Sequence, residues 1–365
     1  MTARSNKADI LHYYMEHQEV SKSEIAKALN ISMPTVMRYT NELLEDHILK
    51  ETGIAESTGG RKAGLFAVDE TIRYAAGIDV TANHISFVLV NLRKKITASR
   101  RYRQKYEHQR SYYCRMAEEL DAFLKEGGVD PEELLGIGFS FPGIVDQREG
   151  ILTYSHVLGI RNFSLSSIQM YFPWPLHFDN DAVSAAYAES LYYKKDMAYL
   201  SLSNSVGGAF CLEGKVYAGD NYKSAEFGHM LLHPGGRKCY CGKPGCVDAY
   251  LNANLLSGQT DGSLETFFRR LEQGDESLLG IWEEYFTSLV YTISNLRMIF
   301  DCDIILGGYV GGFLEPYVLE LEKNVSRYNL FENDAGYIRI CRYRYEAAAL
   351  GQAAGVVERF IKTLQ

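Results

Sequence analysis

The chain has 365 residues, of which 46% are hydrophobic and 23% are charged, and its formal net charge is −8. This length predicts two or three domains, since one compact core would not accommodate it. The acidic balance excludes broad electrostatic binding to nucleic acid or anionic membranes, and no apolar run approaches the ~20 residues that cross a bilayer. We therefore expect a cytoplasmic protein with no membrane partner, in which thiols stay reduced.

Three short helical patterns open the chain. Apolar residues recur at helical spacing over Ala8–Glu16, and Ser21 with Glu24 forms a capping box that starts a second helix. Asn30 suits the left-handed end of that helix, and a third helix is expected over Met33–Asp46. A plain three-helix bundle would show the same pattern, so the helices alone do not decide between it and a DNA-binding motif.

The start of the third helix and the segment after it favour DNA binding. The outer face of that start, where a recognition helix meets base edges, carries Ser32, Thr35, Arg38 and Tyr39. Strands are expected at Ile48–Glu51 and Leu65–Val68, and the loop between them includes Gly60, Arg61 and Lys62. A flexible loop with two cations can reach phosphates or a minor groove, although a solvated loop is the alternative. We predict that residues 1–72 form a winged helix-turn-helix that binds double-stranded DNA, despite 8 Lys/Arg against 11 Asp/Glu.

The remaining chain begins with a strand pattern that occurs twice. The first set of strands is expected at Ala75–Val80, Ile85–Asn91 and Ile96–Tyr102, and the second at Ala198–Leu202, Gly208–Leu212 and Lys215–Ala218. Further expected elements are helices at Tyr112–Lys125, Ser277–Phe300 and Tyr345–Thr363 and strands at Gly136–Phe141 and Asp303–Leu306. The repeat predicts two similar α/β lobes with a ligand cleft between them. Periodicity alone also fits other two-domain α/β arrangements.

A histidine and a cysteine cluster indicate a metal site. His229 is followed by three cysteines within eight residues, Cys239, Cys241 and Cys246. One imidazole and three thiolates suit a closed, tetrahedral structural zinc site, and Gly242 and Gly245 permit the tight turns it needs. The alternative, incidental buried thiols beside an unrelated histidine, is disfavoured by this close spacing.

With these motifs the sequence resembles the ROK family of sugar-responsive repressors, sugar kinases and uncharacterised relatives, and in particular its repressor branch. The resemblance covers nearly the whole chain and rests on Glu226-Phe227-Gly228-His229, Cys239 to Asp248, Phe141 to Asp146, Asn180-Asp181-Ala182, Leu306-Gly307-Gly308 and Ser57 to Arg61. It implies an α/β protein: a winged helix-turn-helix plus a two-lobed, actin-like (ribonuclease H-like) sugar-kinase fold. The sensing domain would span 73–365, with lobes at about 73–180, to which the C-terminal helix returns, and about 181–345. A homodimer or homotetramer is implied as well.

The resemblance also implies a carbohydrate pocket, formed by Asn180, Asp181, Glu226, His229 and Asp248. Carboxylates and an amide pair well with vicinal hydroxyls, and His229 would bind zinc through one ring nitrogen and a sugar hydroxyl through the other. Asp181 as the N-cap of a helix from Ala182 is a compatible structural role. Asp248 stands where the family usually has Glu, and Val157 removes a polar contact, so no particular sugar is predicted.

Kinase activity in the family needs a catalytic base and two glycine-rich phosphate loops. Asp181 matches the base, but Asp79 to Asn83 and Ser203 to Ala209 replace the loops and leave Gly207 as the one aligned glycine. We predict a non-catalytic, sugar-responsive repressor that binds operator DNA and in which Asp181 is a vestigial base. An ATP-dependent sugar kinase that retains its DNA-binding domain, and a body that serves only oligomerisation, are the alternatives. Activation in place of repression also remains open.

Overall fold

The computed structural model describes residues 6–54 and 63–364. The helices in these residues are α1 Asn6–Glu16, α2 Lys22–Ala28, α3 Met33–Glu45, α4 Arg110–Glu126, α5 Asp181–Ser190, α6 Asp248–Leu251, α7 Asn254–Ser257, α8 Leu264–Glu272, α9 Glu276–Phe300, α10 Gly308–Gly311, α11 Val318–Val325 and α12 Ala347–Thr363. The strands are β1 Val20–Ser21, β2 Leu49–Ile54, β3 Gly64–Val68, β4 Tyr74–Val80, β5 His84–Asn91, β6 Ile96–Arg103, β7 Leu134–Phe141, β8 Ile144–Asp146, β9 Ile151–Ser155, β10 Ile160–Ser164, β11 Leu176–Asn180, β12 Met197–Leu202, β13 Val206–Leu212, β14 Lys215–Val216, β15 Asp303–Gly307 and β16 Ile338–Ile340.

The N-terminal helices and strands form a winged helix-turn-helix. Helices α1 to α3 pack together, and the strands form a sheet in the order β1-β3-β2. The capping box is confirmed, because the Ser21 side chain accepts from the Glu24 amide while the Glu24 carboxylate accepts from the Ser21 amide. Asn30 has a φ of 53°, as its position at a helix end predicts. The wing residues Gly60, Arg61 and Lys62 lie outside the described residues.

The body contains two five-stranded sheets with the same topology, which confirms the predicted repeat. The first-lobe sheet has the order β11-β7-β4-β5-β6, and the second-lobe sheet has the order β16-β15-β12-β13-β14. In both sheets an antiparallel meander of three strands is extended by two parallel strands. This is the actin-like arrangement expected of a two-lobed sugar-kinase fold. A small sheet of β8, β9 and β10 is added to the first lobe.

Two helices, α5 and α12, connect the lobes. Helix α12 covers β4 and β7 of the first lobe, helix α5 packs on β13 of the second, and the two helices pack on each other. Glycines make these close approaches possible: a Cβ on Gly77 would lie 1.7 Å from the Ala349 carbonyl oxygen, and one on Gly351 would lie 1.8 Å from that of Ser184. The C-terminal helix thus returns to the first lobe.

The winged domain packs directly on the body. Its core residues form one apolar cluster with α12 and the first-lobe sheet. The Arg93 guanidinium, at the end of β5, donates to the carbonyl oxygens of Met15 at 2.9 Å and Gln18 at 3.2 Å. On α12, Glu358 accepts from Lys94 and lies 3.5 Å from the imidazole of His12. These contacts fix the orientation of α1 relative to the first lobe.

The structure departs from the predicted elements in a few places. The N-cap of α5 is Asn180, whose side chain accepts from the Val183 amide, while Asp181 is the first helical residue, so the Asp181 N-cap was wrong. Strand β14 is shorter than expected, and α12 begins at Ala347. None of the helices within the described residues has both the length and the hydrophobicity needed to cross a bilayer.

Candidate functional site

The predicted DNA-contacting residues lie at the N-terminal end of α3. Ser32 is its N-cap, and its hydroxyl lies 2.8 Å from that of Thr35. The Arg38 guanidinium stacks on the Tyr39 ring, 4.4 Å from its centroid, with its Nε 4.0 Å from a Glu42 carboxylate oxygen. Arg38 is exposed and Tyr39 half-buried. Tyr39 therefore supports the position of Arg38, which presents a cation on this face.

The same face carries two methionines that sequence reasoning did not select. Met33 and Met37 are 42% and 46% exposed and lie one helical turn apart at the start of α3. Apolar residues at i and i+4 on an otherwise polar helix face were the available signal. On a recognition helix such side chains can contact thymine methyl groups.

The four predicted metal ligands converge in the second lobe. The ligand atoms of His229, Cys239, Cys241 and Cys246 all lie within 4.8 Å of one another. Cys241 Sγ and Cys246 Sγ are 3.7 Å apart, and His229 Nδ1 is 3.9 Å from Cys239 Sγ. A tetrahedral site with Zn–S bonds of ~2.3 Å has S···S edges of about 3.8 Å, so the residues fit a four-coordinate ion.

The turns around this cluster depend on glycine. Gly242 and Gly245 have φ values of 92° and 86°, which confirms that tight turns bring the cysteines together. A Cβ on Gly245 would also lie 1.9 Å from the His233 carbonyl oxygen. Burial raises the pKa of the Cys239 thiol, so a bound cation would have to displace a proton from this sulfur.

Two buried carboxyls lie at the base of the cleft between the lobes. Asp79, at the end of β4, and Asp181, at the start of α5, both line this cleft. Burial raises the pKa of Asp79 to about 6, partly offset by the Ser140 hydroxyl that donates to it at 2.6 Å. Burial and the neighbouring Asp79 raise the pKa of Asp181 to about 7. Because two neighbouring carboxyls are hard to ionise together, this cleft suits a hydroxyl-bearing ligand better than an anion.

Two further sugar-site candidates already have protein partners. The Asn180 side chain caps α5 and donates to the Gly143 carbonyl oxygen at 2.8 Å. Asp248 is buried and accepts from the Val206 amide at 2.6 Å. Burial raises the pKa of Asp248, and the Val206 amide opposes that effect. Neither residue is among those that line the cavity beside Asp79 and Asp181, and each keeps unused hydrogen-bonding capacity.

Glu226 and His229 stand at the two ends of a single 3₁₀ turn, Phe227–His229. The turn is set by close packing, since a Cβ on Gly228 would lie 2.1 Å from the Val206 carbonyl oxygen. Burial raises the pKa of Glu226 and lowers that of His229. Nδ1 of His229 faces the cysteines, while Nε2 lies 3.1 Å from the hydroxyl of Tyr240, a residue that sequence reasoning missed.

In the two segments where the sequence lacks the expected phosphate-loop glycines, backbone groups are engaged within the protein. In the first, the Thr81 amide donates to the His84 carbonyl oxygen and the His84 amide donates to the Thr81 hydroxyl oxygen, both at 3.0 Å. In the second segment, the Asp248 carboxylate accepts a hydrogen bond from the Val206 amide. A Cβ on Gly207 would lie 3.1 Å from that of Ala182, so packing against α5 accounts for this glycine.

Near these segments, an arginine of the first lobe reaches across the cleft and contacts two aromatic rings. The Arg101 guanidinium, on β6, lies 4.3 Å from the Tyr345 ring centroid and 5.7 Å from that of Tyr309 in α10. The Tyr199 hydroxyl accepts from the Gly308 amide at 3.2 Å. Aromatic rings and a cation thus occupy the upper part of the cleft.

The molecule therefore combines a winged helix-turn-helix with a two-lobed body of sugar-kinase architecture. Residues 75–359 match the ROK family, and residues 5–50 match a winged helix-turn-helix DNA-binding family. The chain belongs to the ROK family. It is similar to the xylose repressor of Caldicellulosiruptor bescii, with 26% identity over 76% of this chain and 69% of that protein. It is also similar to the DNA-binding transcriptional dual regulator NagC of Escherichia coli, with 23% identity over 67% and 61% of the two chains.

Solved structures share the fold. A ROK family transcriptional regulator, a homologue of the E. coli MLC protein, matches with a TM-score of 0.79 and 18% identity over 98% of this chain and 96% of that one. A ROK family glucokinase from Streptomyces griseus, solved with glucose and AMPPNP, matches with a TM-score of 0.63 and 20% identity over 77% and 98%. The first match extends over the winged domain as well as the body.

Proposed function

We propose that this protein is a sugar-responsive transcriptional repressor without kinase activity, with a structural zinc ion and with its carbohydrate effector bound between the lobes. The observation that carries the proposal is the position of α12. This helix packs both on the winged domain, where Glu358 lies 3.5 Å from the imidazole of His12, and on α5, whose first residue, Asp181, lines the cleft. A ligand that alters the cleft therefore acts on the element that holds the DNA-binding domain.

The residues proposed to bind the effector are Asn180, Asp181, Glu226, His229 and Asp248. Their raised carboxyl pKa values suit a neutral polyhydroxyl ligand, because protonated and ionised carboxyls together supply donors and acceptors to vicinal hydroxyls. Zinc on Nδ1 of His229 would fix the ring that presents Nε2 to this pocket. The relatives named as xylose and N-acetylglucosamine repressors support carbohydrate as the ligand class.

On the DNA side we propose that Ser32, Thr35, Arg38 and Tyr39 read the major groove and that Gly60, Arg61 and Lys62 form the wing contact. A homodimer or homotetramer would place two such domains on successive half-sites of an operator. The sugar shifts the equilibrium between DNA-competent and DNA-incompetent arrangements, which requires different affinities for the two.

The test is fluorescence anisotropy with DNA from upstream of the protein's own gene, at fixed salt, titrated with D-xylose, N-acetyl-D-glucosamine and D-glucose. We expect tight binding that one sugar weakens. If the affinity for that DNA is weak and equals the affinity for a scrambled duplex, the role in DNA regulation is contradicted. Tight binding that no carbohydrate alters would contradict the sensing role.

A sugar kinase is the second candidate, favoured by one observation: Asp181 is a buried carboxyl with a pKa of about 7, which suits a general base. Two observations argue against kinase activity. The Val206 amide already donates to Asp248, and Arg101 reaches across the cleft to the Tyr345 ring. Sugar-dependent ATP hydrolysis that Asp181→Asn abolishes would establish the kinase. We expect no turnover above the rate without sugar.

A further inference from the structure

Tyr240 contacts both lobes at the entrance to the proposed sugar pocket. It lies between two metal ligands, Cys239 and Cys241, in the second lobe, and its hydroxyl is 3.1 Å from Nε2 of His229. Its ring stacks on that of His156, with centroids 4.1 Å apart and planes 9° from parallel. His156 follows β9 in the first lobe. One side chain therefore links the metal cluster to the opposite lobe.

The contact with His229 uses the atom that a sugar would need. Nδ1 faces the cysteines, so Nε2 is the ring nitrogen left for another partner. With Nδ1 on a metal ion the neutral ring carries its proton on Nε2, and this N–H donates to the Tyr240 oxygen. One N–H makes one good hydrogen bond. A sugar hydroxyl can accept from Nε2 only after the Tyr240 hydroxyl has left.

The Tyr240 side chain is only partly covered by its neighbours. The ring is 37% exposed, so it is covered on the side of His156 and His229 and open to solvent elsewhere. It can therefore swing outwards without disturbing the buried core.

We propose that Tyr240 is an internal competitor of the sugar and that its displacement breaks the contact between the lobes. The inference rests on the proposed sugar pocket. A carbohydrate hydroxyl that takes Nε2 of His229 releases the Tyr240 hydroxyl, and the ring then loses its fixed position on His156. Occupancy of His229 Nε2 in the second lobe is thereby converted into the loss of a contact with the first lobe.

The test is isothermal titration calorimetry of the full-length protein with D-xylose, N-acetyl-D-glucosamine and D-glucose. The variants are Tyr240→Phe, which keeps the ring and removes the hydroxyl, and His156→Ala, which removes the stacking partner. Tyr217→Phe, at an exposed tyrosine after β14, is the matched control. Zinc content, measured by atomic absorption, must be equal in all four proteins, so that a change does not reflect loss of the metal.

We expect Tyr240→Phe to bind its sugar about three- to tenfold more tightly than the wild type, because no hydrogen bond has to be broken first. His156→Ala should bind more tightly as well, and the sugar should then alter its DNA affinity less. A Kd for Tyr240→Phe that equals or exceeds the wild-type value overturns the inference and leaves the sugar pocket standing. If Tyr240→Phe binds a sugar and the wild type does not, the inference is supported. If none of the four proteins binds a sugar, both the inference and the sugar-binding function are overturned.

Discussion

Gln352 on α12 donates from Nε2 to the hydroxyl oxygen of Ser184 on α5 at 2.7 Å, and Ser184 in turn donates to the carbonyl oxygen of Asn180 at 2.6 Å. Both side chains are buried. The base of the proposed sugar pocket is thus joined by two hydrogen bonds to the helix on which the winged domain packs. A displacement of Asn180 cannot leave α12 unaffected without breaking this chain.

Gln352→Met should therefore weaken the coupling between sugar and DNA. The substitution preserves volume and removes the amide, so we expect the ratio of DNA Kd values with and without sugar to shrink about two- to fivefold. Anisotropy titrations at several sugar concentrations measure this ratio. Gln259→Met, at an exposed glutamine, is the control. An unchanged ratio in Gln352→Met would exclude this chain of hydrogen bonds as the coupling route.

The metal cluster can be tested at its exposed ligand. Cys241 is exposed while Cys239 and Cys246 are buried, so Cys241→Ser removes a ligand with little loss of packing. We expect about one zinc per wild-type chain, a large loss of zinc in the variant, and a Tm about 5 °C lower or more, since a bound metal stabilises the folded state. Cys114→Ser is the control. Equal metal content in the two variants would contradict the assignment.

Arg38 should contribute directly to DNA affinity. The Tyr39 ring and Glu42 hold its guanidinium in place, so little side-chain entropy is lost on binding. Arg38→Ala should raise the DNA Kd about tenfold, measured by anisotropy at several salt concentrations. Arg269→Ala, at an exposed arginine on α8, should have no effect. If both variants bind DNA as the wild type does, α3 is not the recognition helix.

The protonation of Asp181 predicts a pH-dependent stability. Its pKa is raised from 3.8 to about 7 in the folded protein, so between pH 4 and pH 7 the folded state keeps a proton that the unfolded chain has lost. This group therefore lowers the free energy of unfolding as pH rises through that window. Asp181→Asn removes the penalty and should raise Tm by about 2–4 °C at pH 8 and by nearly nothing at pH 4.

Thermal unfolding followed by circular dichroism at pH 4, 6 and 8 provides the measurement. The exposed Asp121 on α4 is the matched control, and Asp121→Asn should shift Tm equally at all three values. A constant difference between Asp181→Asn and the wild type across this range would show that Asp181 is ionised throughout. In that case the cleft is more hydrated than its burial indicates.

The sequence predicted the fold well because its strongest signals are local or covalently close. The Ser21 capping box and the repeated meander depend on residues near one another in the chain, and the metal cluster depends on three cysteines within eight positions. Its fourth ligand, His229, was predicted because it lies shortly before these cysteines in the chain. Each of these converges in the structure as expected.

The contacts that sequence reasoning missed join residues far apart in the chain. Tyr240 and His156 are 84 positions apart by their numbers in the sequence, and they meet only because the two lobes face each other. Asn180, and not Asp181, caps α5 because strand β11 ends at Asn180. The amino-acid composition does not determine where that strand ends. Secondary-structure propensity depends on residues that are neighbours along the chain, whereas these contacts depend on how the two lobes are assembled.

Arg93 gives the winged domain an unusual dependence on the rest of the chain. Its guanidinium binds the Met15 carbonyl oxygen, close to the end of α1, and that of Gln18, just beyond it, where a helix leaves its last carbonyl groups without internal partners. The helix that opens the DNA-binding domain is therefore completed by a side chain from the turn that follows β5. The winged domain and the first lobe therefore form one folding unit at this point. Fused to a different sensing domain, the winged domain would lose the side chain that completes α1.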